Sequence, residues 1–419
     1  MEDICRLPSR MILVLRGNNL KLLIMENSRD KSLRDLIVVN NLGGLLFWRT
    51  EEHVLSTGYL PLWGVSVCRY PASGKPILYI PELEPRDRLP EGVEIKTFPW
   101  GIIDCADPWE VLFNTIKEDI FKRGIDHLPL GYVPHFGQTA PPLMSGEGAP
   151  LPLDFLKRIQ AIPVKGLRDV TGPMLELYMV KQPHEIEAIA LSNKIAGIGI
   201  KAFYHHLEPG ISEAEVASVV EAAVQNQMGK NGVEYAKAWP LIMSGPNTAY
   251  GGTFNRTTGK KLVSGELVMI EMAICVNGYW ADITRTGTTG NVQPELLAIY
   301  EIVKEAQQMA IAAVKPEITG GELDQIARNY IDKKGYGDYY NHALGHHVGF
   351  RYHDPGPGLS PQSDLRLKEG MVLTIEPGIY GEELGGGCRI EDNVLVTASG
   401  HEILSDFSRA LNPLSRDSF

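Results

Sequence analysis

The amino-acid sequence predicts two domains, an α/β fold followed by a mixed α+β fold. Three observations carry that expectation. At 419 residues the chain exceeds one ordinary domain. Its composition, 44% apolar and 22% charged, supplies large buried cores. Near residue 170 the periodicity changes from short apolar runs to longer helical stretches. We therefore place the first domain at residues 1–170 and the second at 171–419.

In the first domain the segments "KLLIM", "RDLIVV", "GLLFW", "SVCRY" and "KPILYIPE" are apolar runs separated by turn signals and read as strands. The helical pattern of "DPWEVLFNTIKEDIFKRG" follows them. Between Leu128 and Pro173 the chain is crowded with proline and glycine, which marks the end of the domain and the approach to a linker. The second domain starts with helical spacing from Glu185 to about His206, which Pro209-Gly210 stops; Ser212 and Glu215 then have capping-box spacing for another helix. Strand-like runs cover Leu267 to Cys275 and Tyr279 to Thr286, helices run from about Pro294 to Lys315 and from Gly321 to Lys334, and further strand-like runs cover Met371 to Tyr380 and Arg389 to Thr397. No segment repeats at a period of about 20 to 50 residues, which excludes a solenoid.

A net charge of -11 without a lysine/arginine cluster argues against a nucleic-acid partner and favours a small zwitterionic or cationic ligand. The N-terminus begins with acids rather than a basic stretch and does not read as a signal peptide. No apolar run approaches the roughly 18 residues of a spanning helix. A cytoplasmic protein without membrane contact is expected. The five cysteines are scattered and lack C-x-x-C spacing, so buried reduced thiols are expected rather than disulfides or a thiolate zinc site.

The chemistry concentrates in "EMAICVNGYWADITRTG". With Asn277-Gly278 as a two-residue hairpin loop, Val276 pairs with Tyr279 and Glu271 with Thr284. Asp282 is then the diagonal neighbour of Glu271 on one face. Two carboxylates in a dry site require a proton, a cation or an arginine between them; a solvated hairpin face is the plain alternative. Glu376 in "LTIEPGIY" ends one apolar strand and Glu391 in "CRIEDNVLVT" starts another, while "NHALGHHVGFRYHDPGPG" gathers His342, His346, His347 and His353. A single histidine is usually an ordinary polar residue. Four isolated acids with a glycine-flanked histidine cluster instead match two divalent ions, whose charge they balance. Oxygen-rich ligation with one imidazole suits Mn²⁺, Co²⁺, Fe²⁺ or Zn²⁺.

The order of these motifs, Glu271 and then Asp282 in "GYWADITRT", "HALGHHVGFRYHD", "IEPGIY" and "RIEDNVLVT", resembles the pita-bread metallopeptidases, the family of methionine aminopeptidase, aminopeptidase P, prolidase and creatinase. Residues 1 to about 170 resemble the N-terminal domain that creatinase, prolidase and aminopeptidase P share. The resemblance implies two divalent ions, Mn²⁺ or Co²⁺ before Zn²⁺ or Fe²⁺, with Asp282 and Glu391 bridging them, Glu271 on one ion and His346 and Glu376 on the other. It implies a hydroxide held by the ions as nucleophile, Glu376 taking up its proton, His353 and His342 contacting the substrate and stabilising the tetrahedral intermediate, and Arg389 orienting the acids. His347 is left without a role, and homodimerisation is implied by the family alone, with "STGYLPLWG" a candidate border.

Two departures from the family pattern bear on function. Glu271 stands where the family normally has Asp; the expectation is a retained dinuclear site, with a mononuclear one as the alternative. The segment "IMSGPNTAYGGTFNR" lacks the histidine that proline-specific members carry after the Asn, and Gly252 occupies its place. The gap beside Gly251-Gly252 leaves room for a bulkier substrate, or Tyr250 and Arg256 supply polar contacts to it. The reading is a metal-dependent hydrolase of the aminopeptidase P/prolidase type, cutting an amide bond in a small peptide next to proline. The alternative is a non-peptidase on the same scaffold, of the creatinase, ectoine hydrolase or dimethylsulfoniopropionate lyase kind; a binding module is disfavoured because all five ligand positions keep metal-competent side chains.

Overall fold

The computed structural model describes residues 12–16, 19–23, 28–62, 65–99, 107–134, 153–163, 165–252 and 255–412. Residues 1–11 of the N-terminal stretch read for a signal peptide, Cys5 among them, Cys105, the proline/glycine stretch from 135 to 152, and Trp63-Gly64 of the candidate border lie outside the described residues. The chain divides into two compact units, one of residues up to 134 with 153–177 and the other from Tyr178 onward.

The first unit is α/β. Strands β1 (Ile12–Arg16) and β2 (Asn19–Leu23) form a hairpin. Strands β3 (Leu45–Phe47), β4 (Val67–Tyr70), β5 (Ile77–Pro81), β6 (Glu94–Phe98), β7 (Leu130–Tyr132) and β8 (Leu167–Asp169) make a mixed sheet in the order β6-β5-β4-β3-β7-β8. The helices are α1 (Ser28–Val39), α2 (Thr50–Thr57), α3 (Pro108–Lys122) and α4 (Leu153–Gln160). Leu46, Val67, Ile77 and Tyr79 of the sheet pack with Leu112 and Ile116 of α3 and Phe155 of α4. At the start of α3, Asp107 caps the helix by accepting the Glu110 amide at 3.0 Å, with Pro108 in the first turn, where a missing N–H costs nothing.

One expectation for this unit fails. "RDLIVV" is not a strand but the second half of α1. Leu33, Leu36 and Ile37, spaced by three and four, are the buried positions, while Asp30–Arg34 and Lys31–Asp35 pair across successive turns. The two valines that suggested a strand, Val38 and Val39, are exposed. Helix α2, which begins immediately after β3, was not expected at all.

Helix α5 (Thr171–Met179) carries the chain into the second unit, where α6 (Pro183–His205) and α7 (Glu213–Gln225) follow. The expected capping box forms at α7, with the Glu215 amide donating to Ser212 Oγ at 3.2 Å and the Ser212 amide to Glu215 Oε2 at 2.7 Å. Strands β9 (Ala236–Ser244), β10 (Leu267–Val276) and β11 (Tyr279–Thr288) form an antiparallel sheet with β10 in the middle. Side chains alternate across it. Ile270, Met272, Ile274 and Ile283 face α6 and α7 with Ile195, Ile200, Phe203 and Val220, which leaves Glu271, Asp282 and Thr284 on the opposite face. Both faces are buried, and this is why β10 and β11 read as continuous apolar runs.

Helices α8 (Pro294–Ala313) and α9 (Gly320–Lys333) come next, then strands β12 (Val372–Ile375), β13 (Gly378–Gly381), β14 (Gly386–Arg389), β15 (Asp392–Val396) and β16 (His401–Ile403). Each of the two apolar runs predicted here as one strand is broken. Met371–Tyr380 divides at Glu376-Pro377 and Arg389–Thr397 at Ile390-Glu391, with β12, β15 and β16 in one sheet and β13 and β14 in another. Pro377 has no N–H to continue a ladder. The two acids therefore sit at points where the chain changes sheets, not within strands.

Candidate metal centre

The hairpin forms in the expected register. Asn277 and Gly278 adopt positive φ of 52° and 91°, as a two-residue turn with the strands' twist requires. Val276 lies opposite Tyr279 and Glu271 opposite Thr284. Asn277 is further fixed because its Oδ1 accepts the amides of Glu234 and Tyr235 at 2.9 and 3.0 Å. β11 is then tied to the last strands: the Glu391 amide donates to the Thr284 carbonyl at 3.1 Å, Thr286 Oγ1 to the Arg389 carbonyl at 2.9 Å, and the Asp282 amide to Asn393 Oδ1 at 3.3 Å. These bonds bring Asp282 and Glu391 together although 109 residues separate them in "GYWADITRT" and "RIEDNVLVT".

His346 arrives on a loop bridged to β12. A Cβ at Gly345 would lie 2.0 Å from the Thr374 carbonyl oxygen, so only glycine lets the loop approach this closely. The His346 amide donates to Thr374 Oγ1 and the Thr374 amide to the His346 carbonyl, at 2.9 and 2.8 Å. Nδ1 of His346 faces the His347 carbonyl at 2.9 Å, which turns Nε2 toward Asp282 Oδ2 at 3.3 Å and Glu376 Oε1 at 3.4 Å. His347, without a role in the sequence, thus orients His346 through its backbone; its own ring is buried with neither nitrogen partnered. The buried Lys181–Asp354 pair, at 2.8 Å, holds the next turn, in which Asp354 accepts the amides of Phe350 and Arg351.

Ligand atoms of Glu271, Asp282 and Glu391, of His346, Glu376 and Glu391, and of Asp282, His346 and His353 lie within 4.8 Å of one another in each group. Arg389 donates to the Gly251 carbonyl at 2.7 Å, to Tyr380 Oη at 3.0 Å and to Thr284 Oγ1 at 2.9 Å, and its Nη2 pairs with Glu271 Oε2. His342 Nε2 lies 3.0 Å from the Tyr380 hydroxyl. His353 packs its ring 4.3 Å from that of His346. Tyr250 is the predicted site residue that the structure does not bring to this group: it is about half exposed and its hydroxyl donates to Glu382. Arg256 is exposed as well.

The gap expected beside Gly251-Gly252 is filled. A Cβ at Gly252 would meet Asn341 Oδ1 at 2.3 Å and the Tyr380 ring at 2.8 Å, and one at Gly251 would meet Met269 Cε at 2.3 Å. The Tyr380 ring lies against both glycines, 2.8 Å from a Cβ at either position, so neither leaves a gap where a side chain would stand. Thr284, Tyr352 and Tyr380 were not anticipated as site residues. Thr284 carried a signal, its register position opposite Glu271; Tyr352, 81 residues from the Glu271 it touches, carried none.

The electrostatics divide the acids. Burial pushes the carboxyls of Asp282 and Glu391 well above the usual range, and the neighbouring carboxylates add to the shift. Burial raises Glu376 to about 8. Glu271 goes the other way: burial would raise it, but Arg389, Thr284 and Tyr352 together hold it below the ordinary value. Asp282 Oδ1 and Glu391 Oε1 are buried with no hydrogen-bond partner. An orphaned buried oxygen is costly, more so on an acid. Oxygen donors with an imidazole, bare and convergent, fit divalent cations.

A nest of buried acids around one imidazole is the donor set of a divalent-metal hydrolase. The comparisons agree: residues 187–398 match the model of metallopeptidase family M24, and the chain belongs to that family. It is 37% identical over 386 residues to a Xaa-Pro dipeptidase of Pyrococcus horikoshii, covering 92% of this chain and 99% of that one. It is 40% identical over 248 residues to a Xaa-Pro dipeptidase of Pyrococcus furiosus, covering 59% and 69%. Among solved structures it resembles the prolidase from Pyrococcus horikoshii, with a TM-score of 0.74, 30% identity, and coverage of 92% of this chain and 100% of that one.

Proposed function

We propose that this chain is a metal-dependent Xaa-Pro peptidase that hydrolyses the amide bond before proline in a small peptide. The relatives named Xaa-Pro dipeptidase support the substrate class. The observation that carries the metal dependence is the pair of bare, buried oxygens, Asp282 Oδ1 and Glu391 Oε1, among four acids and His346.

Asp282 and Glu391 would serve both cations, Glu271 one of them, and His346 and Glu376 the other, with Mn²⁺ or Co²⁺ suited to the oxygen-rich set. When bound, divalent ions lower the pKa of water and polarise the scissile carbonyl. The chain's own groups do the rest. Glu376, its Oε1 fixed by the Thr374 hydroxyl at 3.0 Å beside His346, takes up and returns the proton. His353, lowered well below its usual value by burial, is a neutral imidazole that presents a hydrogen-bond donor to the substrate without adding charge. Neutral His342, lowered to about 3 by burial and by Arg389, instead spends its one N–H on the Ala343 carbonyl at 2.8 Å and accepts the Tyr380 hydroxyl on Nε2, so it acts by holding Tyr380. Arg389, which burial would discharge but Glu271, Tyr380 and Glu376 keep charged, fixes the acids and His342's partner Tyr380.

A second reading keeps the metal and exchanges the peptide for a small non-peptide amide. The absence of any histidine between Asn247 and Glu271 favours it. Incubating the Mn²⁺- and Co²⁺-reconstituted protein with Xaa-Pro dipeptides, Xaa-Pro-led tripeptides, proline-free dipeptides and cyclic or amidine-type amides separates the two. Selective cleavage before proline is expected. Intact Xaa-Pro peptides beside a cleaved non-peptide amide would establish the second reading instead.

A further inference from the structure

Glu271 differs from the other site acids in that both of its oxygens already have donors. Oε1 accepts the Tyr352 hydroxyl, and Oε2 pairs with Arg389 Nη2 and lies against Thr284 Oγ1. Thr284 has one proton for two carboxylates, because its Oγ1 also lies 2.7 Å from Glu391 Oε2. Arg389 and Tyr352 therefore define the state of Glu271, one on each oxygen.

We propose that Tyr352 is a positioning residue that competes with a divalent cation for Oε1 of Glu271. Its hydroxyl weakens the cation position that needs Glu271 and leaves the position formed by Asp282, His346, Glu376 and Glu391 untouched. The inference rests on the metal-centre reading given above and adds to it the residue that sets occupancy.

Three features of the structure support it. First, the phenol is not a mobile cap. Tyr352 is 6% exposed, its ring packs edge-on to His353 at 4.1 Å, and the turn that carries it is pinned by Asp354 to two backbone amides and to buried Lys181. Second, the contact depends on the length of the Glu271 side chain. An aspartate there would hold its carboxylate about one carbon–carbon bond, roughly 1.5 Å, nearer to β10, and would withdraw it from the Tyr352 hydroxyl. The longer acid and the phenol thus fit each other. Third, Glu271 alone has a donor bonded to each oxygen: Asp282 and Glu391 each retain a bare oxygen, the Thr374 hydroxyl bonds Oε1 of Glu376 at 3.0 Å, and His346 Nε2 points between Asp282 and Glu376. A carboxylate offers about four lone-pair sites. With Arg389 and Tyr352 engaged, Glu271 offers a cation one oxygen at most, already sharing its charge with a donor.

The test is Mn²⁺ titration of the ion-free full chain, with free Mn²⁺ read by electron paramagnetic resonance and the fold checked by circular dichroism. The wild type is expected to bind one ion tightly and a second at least about tenfold more weakly. Tyr352→Phe, which removes only the hydroxyl, is expected to tighten the second ion by roughly 10- to 100-fold, the worth of a hydrogen bond to a charged group, and to leave the first unchanged. Glu271→Asp, which withdraws the carboxylate instead, is expected to tighten the second ion as well. A second ion that Tyr352→Phe leaves unchanged or weakens overturns the proposal; weakening would make Tyr352 a supporting donor. Failure of the wild type to take up any Mn²⁺ would overturn the metal-centre reading itself, so the two failures are distinguishable.

Discussion

Asp119 in the N-terminal unit and Asp282 in the C-terminal unit are both buried, at 3% and 1% exposure. Their surroundings are opposite. Asp119 accepts from Lys96 and Arg123 on Oδ1 at 2.5 and 3.0 Å, and from Arg69 and Tyr79 on Oδ2 at 3.2 and 3.0 Å. Although burial works against it, these donors bring its pKa down to about 2. Asp282 faces three other acids, and one of its oxygens has no partner. The C-terminal unit does not lack arginines for such work: Arg285 and Arg409 both pair with buried Asp392 at 2.7 Å. The contrast teaches that a carboxylate closed off by protein cations acts as a strut, whereas one left bare beside its own kind is held for a cation from solution.

The largest expected effect breaks the comparison at Asp282. Asp282→Ala should abolish metal retention and reduce turnover by more than the roughly 10- to 100-fold that loss of a supporting hydrogen bond costs, whereas Asp119→Asn should leave metal content unchanged; elemental analysis and peptide hydrolysis check both. Stability should respond the other way round. Asp119→Asn strands buried Arg69 and should destabilise the N-terminal unit by about 3 kcal/mol in urea unfolding, while Asp282→Asn in the ion-free protein should not destabilise, because a neutral amide replaces a carboxyl that burial and its acidic neighbours already favour in the neutral form.

Dependence on pH sharpens the same division. For Asp119 the folded-state pKa, about 2, lies below the unfolded value of about 4, so its contribution is present above pH 4 and is lost as the pH falls toward 2. For Glu376 the folded value, about 8, lies above the unfolded value of about 4. The ion-free protein therefore holds protons that the unfolded chain does not, and its stability declines as pH rises from about 4 to 8. Thermal melts of the ion-free protein should show that decline, and saturating Mn²⁺ should remove it. The smallest effect is expected at Tyr380, whose hydroxyl links His342 to Arg389. Tyr380→Phe should lower kcat/KM by about tenfold, the worth of one such hydrogen bond.

What the sequence made legible was local. The Asn277-Gly278 loop fixes the register of β10 and β11 by counting, which placed Asp282 diagonal to Glu271 before any coordinates. The Pro209-Gly210 stop and the Ser212–Glu215 capping box gave the end of α6 and the start of α7 to within a few residues. Glu376 at the end of one strand and Glu391 at the start of another were legible, but the change of sheet at Glu376-Pro377 and Ile390-Glu391 was hidden because the chain is extended on both sides of each break. In α1 the β-branched end of the segment outweighed the spacing of Leu33, Leu36 and Ile37. The histidine cluster announced itself by density. The partition of charge, Glu271 to Arg389 and Tyr352 with an oxygen left bare on Asp282 and on Glu391, depends on contacts across 118 and 81 residues, to which no short-range pattern answers.

The central claim is that divalent cations replace protons on Asp282, Glu376 and Glu391. Calorimetric titration of the ion-free protein with Mn²⁺ at pH 7, repeated in buffers of different ionisation enthalpy, measures that replacement directly. The account predicts saturable binding with release of at least about one proton per chain. Binding with no proton released, or no binding at all, would contradict it.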